Sequence, residues 1–349
     1  MIASTSESPL RVWALTGARA GDNNQVIALA QALGLPFETK HLEYNGLRFL
    51  GPRLLGRSLL SVAKASRRQL LDEPPPDLTI SAGHRSVPVT QALRARSSGR
   101  TRSIHVGFPR VSPSRFDLVI ATPQYPIADH PNLLAVPYAL TTTATREPDA
   151  SGASSLSALP SPRRLLLVGG PNIYWKIDDE ALLGHLAGML AEASMEGGSV
   201  LVTTSPRTPA RLASRIRDML SASEAPWMLA TPGKPPAYAS LLDAAHSISV
   251  TADSVAMVSD AIWTGKPVAL VNVTTGLLGR VAIFLMDRLW PGRPIYPQDL
   301  RFFWHALTRI GVTERLSLPT TPTSEELYRM LARVEPILDE LRDRSRATR

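Results

Sequence analysis

Short apolar runs alternate along most of this chain with stretches whose apolar positions recur every three or four residues. That alternation predicts stacked βαβ units and parallel sheets. In the first half the strand-like runs are 12–16, 37–42, 77–81, 103–107, 117–121 and 133–136, the third opened by the turn Pro74-Pro75-Pro76. A helix is expected from 24 to 33, with Gly34 as its stop, and a longer helical stretch from 47 to 71 with breaks at Gly51 and Gly56. The pattern then lapses. Residues 150–161 are rich in Ser, Ala and Gly and carry no charge, which reads as a linker or mobile loop.

After that stretch the alternation restarts. Strand 164–168 runs into Gly169-Gly170 and a helix over 178–196; strand 200–204 runs into Ser205 and a helix over 209–220. Strand 227–230, helix 238–245 and strand 248–251 follow, then a helix to Trp263 stopped by Thr264-Gly265-Lys266-Pro267, and strand 268–273. The last pattern, 325–346, is helical, with Leu327, Met330, Leu331, Val334, Leu338 and Leu341 at helical spacing. The reading is α/β: two doubly wound parallel-sheet domains facing a cleft. Domain bounds are expected at 1–145, a linker at 146–162, a second domain at 163–322 and a terminal helical segment at 323–349.

In open parallel sheets ligands bind beyond the carboxyl ends of the strands, so the loops after strands carry the candidate chemistry. The richest is Ser249–Pro267, where Asp253 and Ser254 open a helix whose first amides and dipole favour a phosphate, while Asp260, about two turns on, is placed to accept both hydroxyls of a ribose. Helix capping alone also accounts for Asp253, but not for the small, apolar face that follows it. Gly169, Gly170 and Asn172 form a turn that lets a backbone approach a ligand. Ser205, Arg207 and Thr208 offer hydroxyls and a guanidinium suited to an anion. In the first half, the loop from Thr16 to Gln25 has glycines four apart, so it is neither a dinucleotide fingerprint nor a P-loop. Asp22 in that loop is the candidate general base, with His84 in the loop 81–86 as second choice. Arg85 or Arg110 is available to pair with phosphate.

Composition narrows the classes. The 349 residues include no cysteine, which excludes disulfides, thiolate metal sites and cysteine nucleophiles. The seven histidines are scattered without ligand spacing, so no metal is expected. A formal charge of +8 favours acidic partners, and the segment 45–71 has six basic residues, no acidic one, and interspersed leucines. That segment is either an amphipathic surface for an anionic membrane or a packed helix pair with a basic face. Aromatic residues are only 6% and do not interleave with the basic patches, so nucleic acid is not expected as a partner. The N-terminal stretch lacks the pattern of a secretory signal and no apolar run reaches roughly 18 residues, so a cytoplasmic location, peripheral to an inner membrane, is expected.

Seven motifs occur in order between residues 12 and 268: VWALTGARAGDNNQVIALAQALG, PDLTISAGHRSVPV, HVGFPR, FDLVIATPQY, LLLVGGPN, TTSPRTP and VTADSVAMVSDAIWTGKPV. Together they resemble the mitochondrial fission ELM-type (elongated-mitochondria) family, which is named for a plant adaptor that recruits a dynamin-like protein. The last motif is also similar to glycosyltransferases that build lipid-linked cell-envelope precursors. That resemblance implies a GT-B-like pair of Rossmann-like domains, with a last helix crossing back to the N-terminal domain. It implies a nucleotide-diphosphate sugar as co-substrate, with no further cofactor, Asp253 and Ser254 at its phosphates and Asp260 at its ribose. The expected function is a metal-independent transfer to a cell-envelope saccharide or lipid-linked acceptor. The alternatives are a non-catalytic adaptor or nucleotide-binding protein and a nucleotide-sugar epimerase. Two departures stand out: Asp260 replaces the more usual Glu, and the first loop reads Thr16-Gly17-Ala18 where the family often has Thr-Asp-Gly.

Overall fold

A computed structural model describes residues 9–142 and 150–347. The chain divides into two compact units, one formed by the residues up to Val136 together with those from Ser324 onward, the other by Pro137–Thr323.

The first unit contains, in order, β1 (Val12–Thr16), α1 (Ala20–Ala32), β2 (Phe37–His41), α2 (Pro52–Leu55), α3 (Lys64–Leu71), β3 (Leu78–Ala82), α4 (Val87–Arg96), β4 (Arg102–Val106), β5 (Leu118–Ala121) and β6 (Leu133–Ala135). Its strands pair in the order β2-β1-β3-β4-β5-β6, all parallel. Strands covered on both faces are largely apolar, as β5 is throughout and β1 is up to Thr16. Trp13 and Leu15 face Val89 and Leu93 of α4 in one core cluster. The stretch expected as one interrupted helix over 47–71 is instead a short 3₁₀ turn at Gly46–Phe49, α2 and α3. Gly56, at φ +57°, ends α2 in a backbone region that side chains avoid.

The second unit contains α5 (Ala150–Ser157), β7 (Arg163–Val168), β8 (Trp175–Ile177), α6 (Asp179–Glu196), β9 (Ser199–Thr204), α7 (Ala210–Ser221), β10 (Trp227–Ala230), α8 (Tyr238–Ala244), β11 (Ser247–Thr251), α9 (Val255–Trp263), β12 (Val268–Val271), β13 (Val273–Thr275), α10 (Leu277–Leu289) and α11 (Leu300–Arg309). Its main sheet has the order β10-β9-β7-β11-β12, again parallel; β8 and β13 form a separate antiparallel pair. Alternation along β7 divides its core: Leu165 and Leu167 face the cluster under α8, α9 and α11, while Leu166 and Val168 face that under α6 and α7. Each such leucine contributes roughly 1.5–3 kcal/mol on burial. Asp178 caps α6 by accepting from the Ala181 amide (3.1 Å), and Gly197 at φ +66° ends it.

Two sequence expectations need correction. The segment read as a linker is helical from Ala150 to Ser157, and its Leu156 is buried in the core beside α8; residues 146–149 lie outside the described residues. Leu156 is the buried position there, while Ser154, Ser155 and Ser157 beside it are exposed. The changeover between units also falls at 136/137 rather than near 145. Tyr138 is buried edge-on against Trp263 (5.6 Å between centroids), and the Trp263 indole donates to the Ala139 carbonyl (2.8 Å). These contacts tie 137–142 to the second unit.

The last helix, α12 (Thr323–Ala347), belongs from Ser324 to the first unit, the return that the resemblance implied. Met330, Val334, Leu338 and Leu341 are its buried stripe. Arg329 and Arg333 donate to the carbonyls of Ala135 (2.9 Å) and Pro131 (2.6 Å), and Glu340 pairs with Arg102 of β4.

Candidate functional site

Each sheet has one place where the strand order reverses, and a crevice opens at the carboxyl ends of the two strands on either side. In the first unit these strands are β1 and β3, and in the second β7 and β11. The candidate residues fall at these two places.

In the first unit a cavity of about 50 Å³ is lined by the loop after β1 (Gly17, Arg19), the start of α1 (Asp22, Asn23), Tyr44, and the loop after β3 (Gly83, His84, Arg85). Helix α1 begins at Ala20, earlier than expected, so Asp22 rides in its first turn rather than in the loop. Asn23 fixes the loop instead: its side chain accepts from the Gly17 amide (2.8 Å) and donates to the Gly17 carbonyl (2.7 Å). Gly83 sits at φ +71°, and a Cβ there would lie 2.9 Å from Oδ2 of Asp22, so only glycine allows the two loops to close up. Burial raises the Asp22 pKa against the opposing pull of Arg19. Burial, then Arg110, Arg85 and Arg19, lower His84 to about 4. Behind it, fully buried His105 is lowered to about 3 by burial and by His84, with Nδ1 3.0 Å from the Ser81 hydroxyl. Burial likewise pushes the Tyr44 phenol up.

In the second unit the loops after β7, β9 and β11 interlock. The Gly169 amide donates to Oγ1 of Thr251 (2.8 Å), which donates to Oδ1 of Asp253 (2.6 Å). The Gly170 amide donates to Oδ2 of Asp253 (3.0 Å), and Arg207 reaches the same oxygen at 3.2 Å and the Gly170 carbonyl at 2.9 Å. A Cβ on Gly169 would fall 2.3 Å from Asp253, and one on Gly170 would fall 2.4 Å from the Arg207 backbone. Thr208 accepts from the Ser205 amide (2.9 Å) and donates to the Gly169 carbonyl, while Ser205 accepts from the Arg207 amide (3.2 Å). Ser254 caps α9, its hydroxyl accepting from the Met257 amide at 3.4 Å. Asn172 holds the turn before β8 by accepting from the amides of Tyr174 and Trp175, both at 3.0 Å.

Gly169, Gly170, Ser205, Arg207, Thr208, Asp253 and Ser254 are therefore brought together, with Asn172 at the margin. Asp253, however, has a fully buried side chain beneath the glycine turn. It holds the loops and has no hydrogen to donate to a phosphate. Asp260 is also buried, and its carboxylate accepts from the Thr141 hydroxyl at 2.5 Å. Its charge helps to raise the Tyr238 phenol, chiefly raised by burial. Sequence reasoning passed over Thr251, Thr141 and Arg19. Thr251, as the last residue of an apolar strand, was the most readable of the three.

A family model described as Mitochondrial fission ELM1 matches residues 20–287. The Mitochondrial fission protein ELM1 of Arabidopsis thaliana is 26% identical over 231 residues, 59% of this chain. The match spans only 53%, about half, of that relative's length. Among solved structures, a protein from Listeria monocytogenes designated a UDP-N-acetylglucosamine 2-epimerase has a TM-score of 0.52 at 13% identity, covering 95% of this chain and 98% of that one. A UDP-glucosyltransferase from Polygonum tinctorium gives 0.49 at 12%, over 97% and 99%. At such identities the structural likeness is one of fold: mixed α/β, with two Rossmann-like units of GT-B type. The family model spans most of the chain, and the chain belongs to the mitochondrial fission ELM1 family.

Proposed function

We propose that this protein is a metal-independent glycosyltransferase that takes a nucleotide-diphosphate sugar at the β7/β11 edge and a saccharide or lipid-linked acceptor at the β1/β3 edge. The observation that carries this reading is the carboxyl of Asp22, which lines a pocket and whose pKa burial raises, making it a stronger base than a free carboxylate. The acceptor hydroxyl attacks the anomeric carbon, its proton passes to Asp22, and the bond from that carbon to the diphosphate oxygen breaks with its electron pair. The leaving diphosphate is met by Arg207 and by the amides at the start of α9, oriented by Ser254. Gly169 and Gly170 let the Asp253 carboxylate and the Arg207 backbone close over the turn after β7, and Ser205, Thr208 and Asn172 keep that edge in shape. His84, held near 4, is neutral at physiological pH but a weak base, so Asp22 is preferred.

A cell-envelope or other membrane-linked acceptor is favoured by exposed apolar side chains beside arginines. In the first unit Phe49 and Leu54 are 76% and 79% exposed next to Arg48 and Arg53. In the second, Leu277, Leu278, Phe284 and Leu289 of α10 are more than half exposed beside Arg280 and Arg288. Among the described residues no helix is long and apolar enough to cross a membrane.

The test is transfer from a panel of nucleotide sugars to a membrane-lipid extract, beside thermal shift with the same nucleotides. Asp22→Asn is expected to lower transfer by about 10²–10⁴-fold while the nucleotide-induced shift persists. Undiminished transfer in that variant would remove Asp22 as the base. A second reading, a nucleotide-binding adaptor without turnover, draws on Asp260, whose carboxylate is already engaged by Thr141. Nucleotide shifts with no transfer to any acceptor would favour it.

A further inference from the structure

The first unit's pocket has an electrostatic imbalance that the base reading of Asp22 leaves unused. Arg19 and Arg85 line it, and Arg110 stands near enough to depress His84 alongside them. Against the two guanidinium groups of its lining the pocket offers one carboxyl, Asp22, which burial biases toward its neutral form. Arg94, Arg102, Arg164, Arg215 and Arg301 all form ion pairs with carboxylates. Among the described residues none pairs with Arg19 or Arg85, and Nε of Arg85 is buried without a hydrogen-bond partner. A buried charged donor left unsatisfied is costly, and native structures keep such groups for a reason. Arg110 is one of two non-glycine residues at positive φ among the described residues (+60°), a kind of strain that clusters at ligand sites.

Size narrows the class of ligand. The cavity measures about 50 Å³, on a scale where one water needs roughly 10–15 Å³. A cavity of that size has room for a small polar group beyond a single water. Helix α1 opens beside it with no side chain capping its amides, which adds positive potential on the same side.

We propose that this pocket is an oxyanion subsite in which Arg85 and Arg19, within the field of Arg110, bind a phosphate-class group of the first unit's ligand. The assignment goes beyond the transferase reading and stands without it, because it is a statement about binding. Within that reading it means that the acceptor carries a phosphate close to the hydroxyl that Asp22 deprotonates.

His84 is the reporter. Arg19, Asp22, Tyr44, Arg85 and Arg110 surround it, with buried His105 behind. The full-length protein, labelled at histidine, is titrated by NMR with inorganic phosphate and with sulfate, against chloride at equal ionic strength. The expected result is a saturable shift of the His84 ring resonance and a rise of its pKa from about 4 with both oxyanions but not with chloride. Arg85→Gln should weaken phosphate binding about tenfold or more. The rings of His185 and His246 in the second unit should hold their positions, which shows that the variant is folded. Arg19→Gln, at an exposed position, should weaken binding by a smaller factor. A parallel titration with short-chain phosphatidate separates the sources. Tighter binding than inorganic phosphate identifies a lipid phosphate, and equal binding identifies the phosphate group alone; either supports the site. The absence of a saturable His84 response to all three ligands overturns it, as does an isotherm unchanged in both variants. Phosphate binding without sugar transfer supports the site and overturns only the transferase.

Discussion

Asp22 and Asp253 occupy comparable places, each at the reversal point of a parallel sheet and each pressed against a glycine from the neighbouring loop, Gly83 and Gly169 respectively. Their surroundings differ. Asp253 receives the Gly170 amide, the Thr251 hydroxyl and the Arg207 guanidinium. Asp22 has no hydrogen bond among the described residues; it has burial, the nearby charge of Arg19, and a raised pKa. One carboxylate is spent on structure and the other is left with its chemistry intact. An acidic residue at the end of a strand is thus no guide to its role until its donors are counted.

That comparison can be broken most sharply by removing Asp253. Asp253→Ala strands the buried Gly170 amide and Thr251 hydroxyl, and should destabilise the second unit by about 3 kcal/mol in denaturant unfolding. A loss below about 1 kcal/mol would mean that the loops hold without it. Acidification should act next, and chiefly on the first unit. His105 is held at about 3 and His84 at about 4 when folded, against 6.5 when unfolded. Between those values the unfolded chain binds protons that the native chain refuses, so stability falls as pH drops from 6.5 and levels off below about 3, a loss on the order of a few kcal/mol. Hydrogen exchange in mild acid should show β3 and β4 losing protection before β7 and β9. Equal loss in both sheets would tell against it.

Smaller effects sharpen the contrast. Gly169→Ala places a methyl 2.3 Å from Asp253 and should cost about 1–3 kcal/mol by the same unfolding assay. Asp22→Asn should do the opposite. With its pKa raised, the native carboxyl holds a proton that the unfolded chain releases above the ordinary 3.8, so ionisation at neutral pH works against folding. The amide should therefore raise stability by about 0.5–2 kcal/mol near neutrality, with the gain vanishing below pH 3.8. A variant less stable than the parent at neutral pH would show that the carboxylate is structurally paired after all.

Much of the fold was legible because buried parallel strands are apolar on both faces, so runs such as those of β1, β7 and β11 stand out between glycine-bearing loops. The three-residue strands β8 and β13 left no such trace; each is too short for alternation to register. Residues 150–161 misled because Ser and Ala serve a packed helix as well as a loop, and the single buried Leu156 decides between them. Within the site, the loops that converge in the second unit could be read from their places after strands. The duties of Asp253 and Asp260 could not, since both depend on partners far off in sequence: Gly170 and Arg207 for one, Thr141 for the other. Likewise the charge around His84 comes from Arg19, Arg85 and Arg110, on three separate loops.

The return of α12 has a consequence for biosynthesis. The first unit's sheet emerges from the ribosome early, but the helix that covers it with Met330, Val334 and Leu338 follows only after all of 137–323 has been made. At roughly 5–20 residues per second that interval is on the order of ten to forty seconds. Throughout it, the nascent first unit exposes the apolar surface that α12 later buries, while the second unit is free to fold from a continuous stretch of chain. A protein built this way finishes first the part it began last.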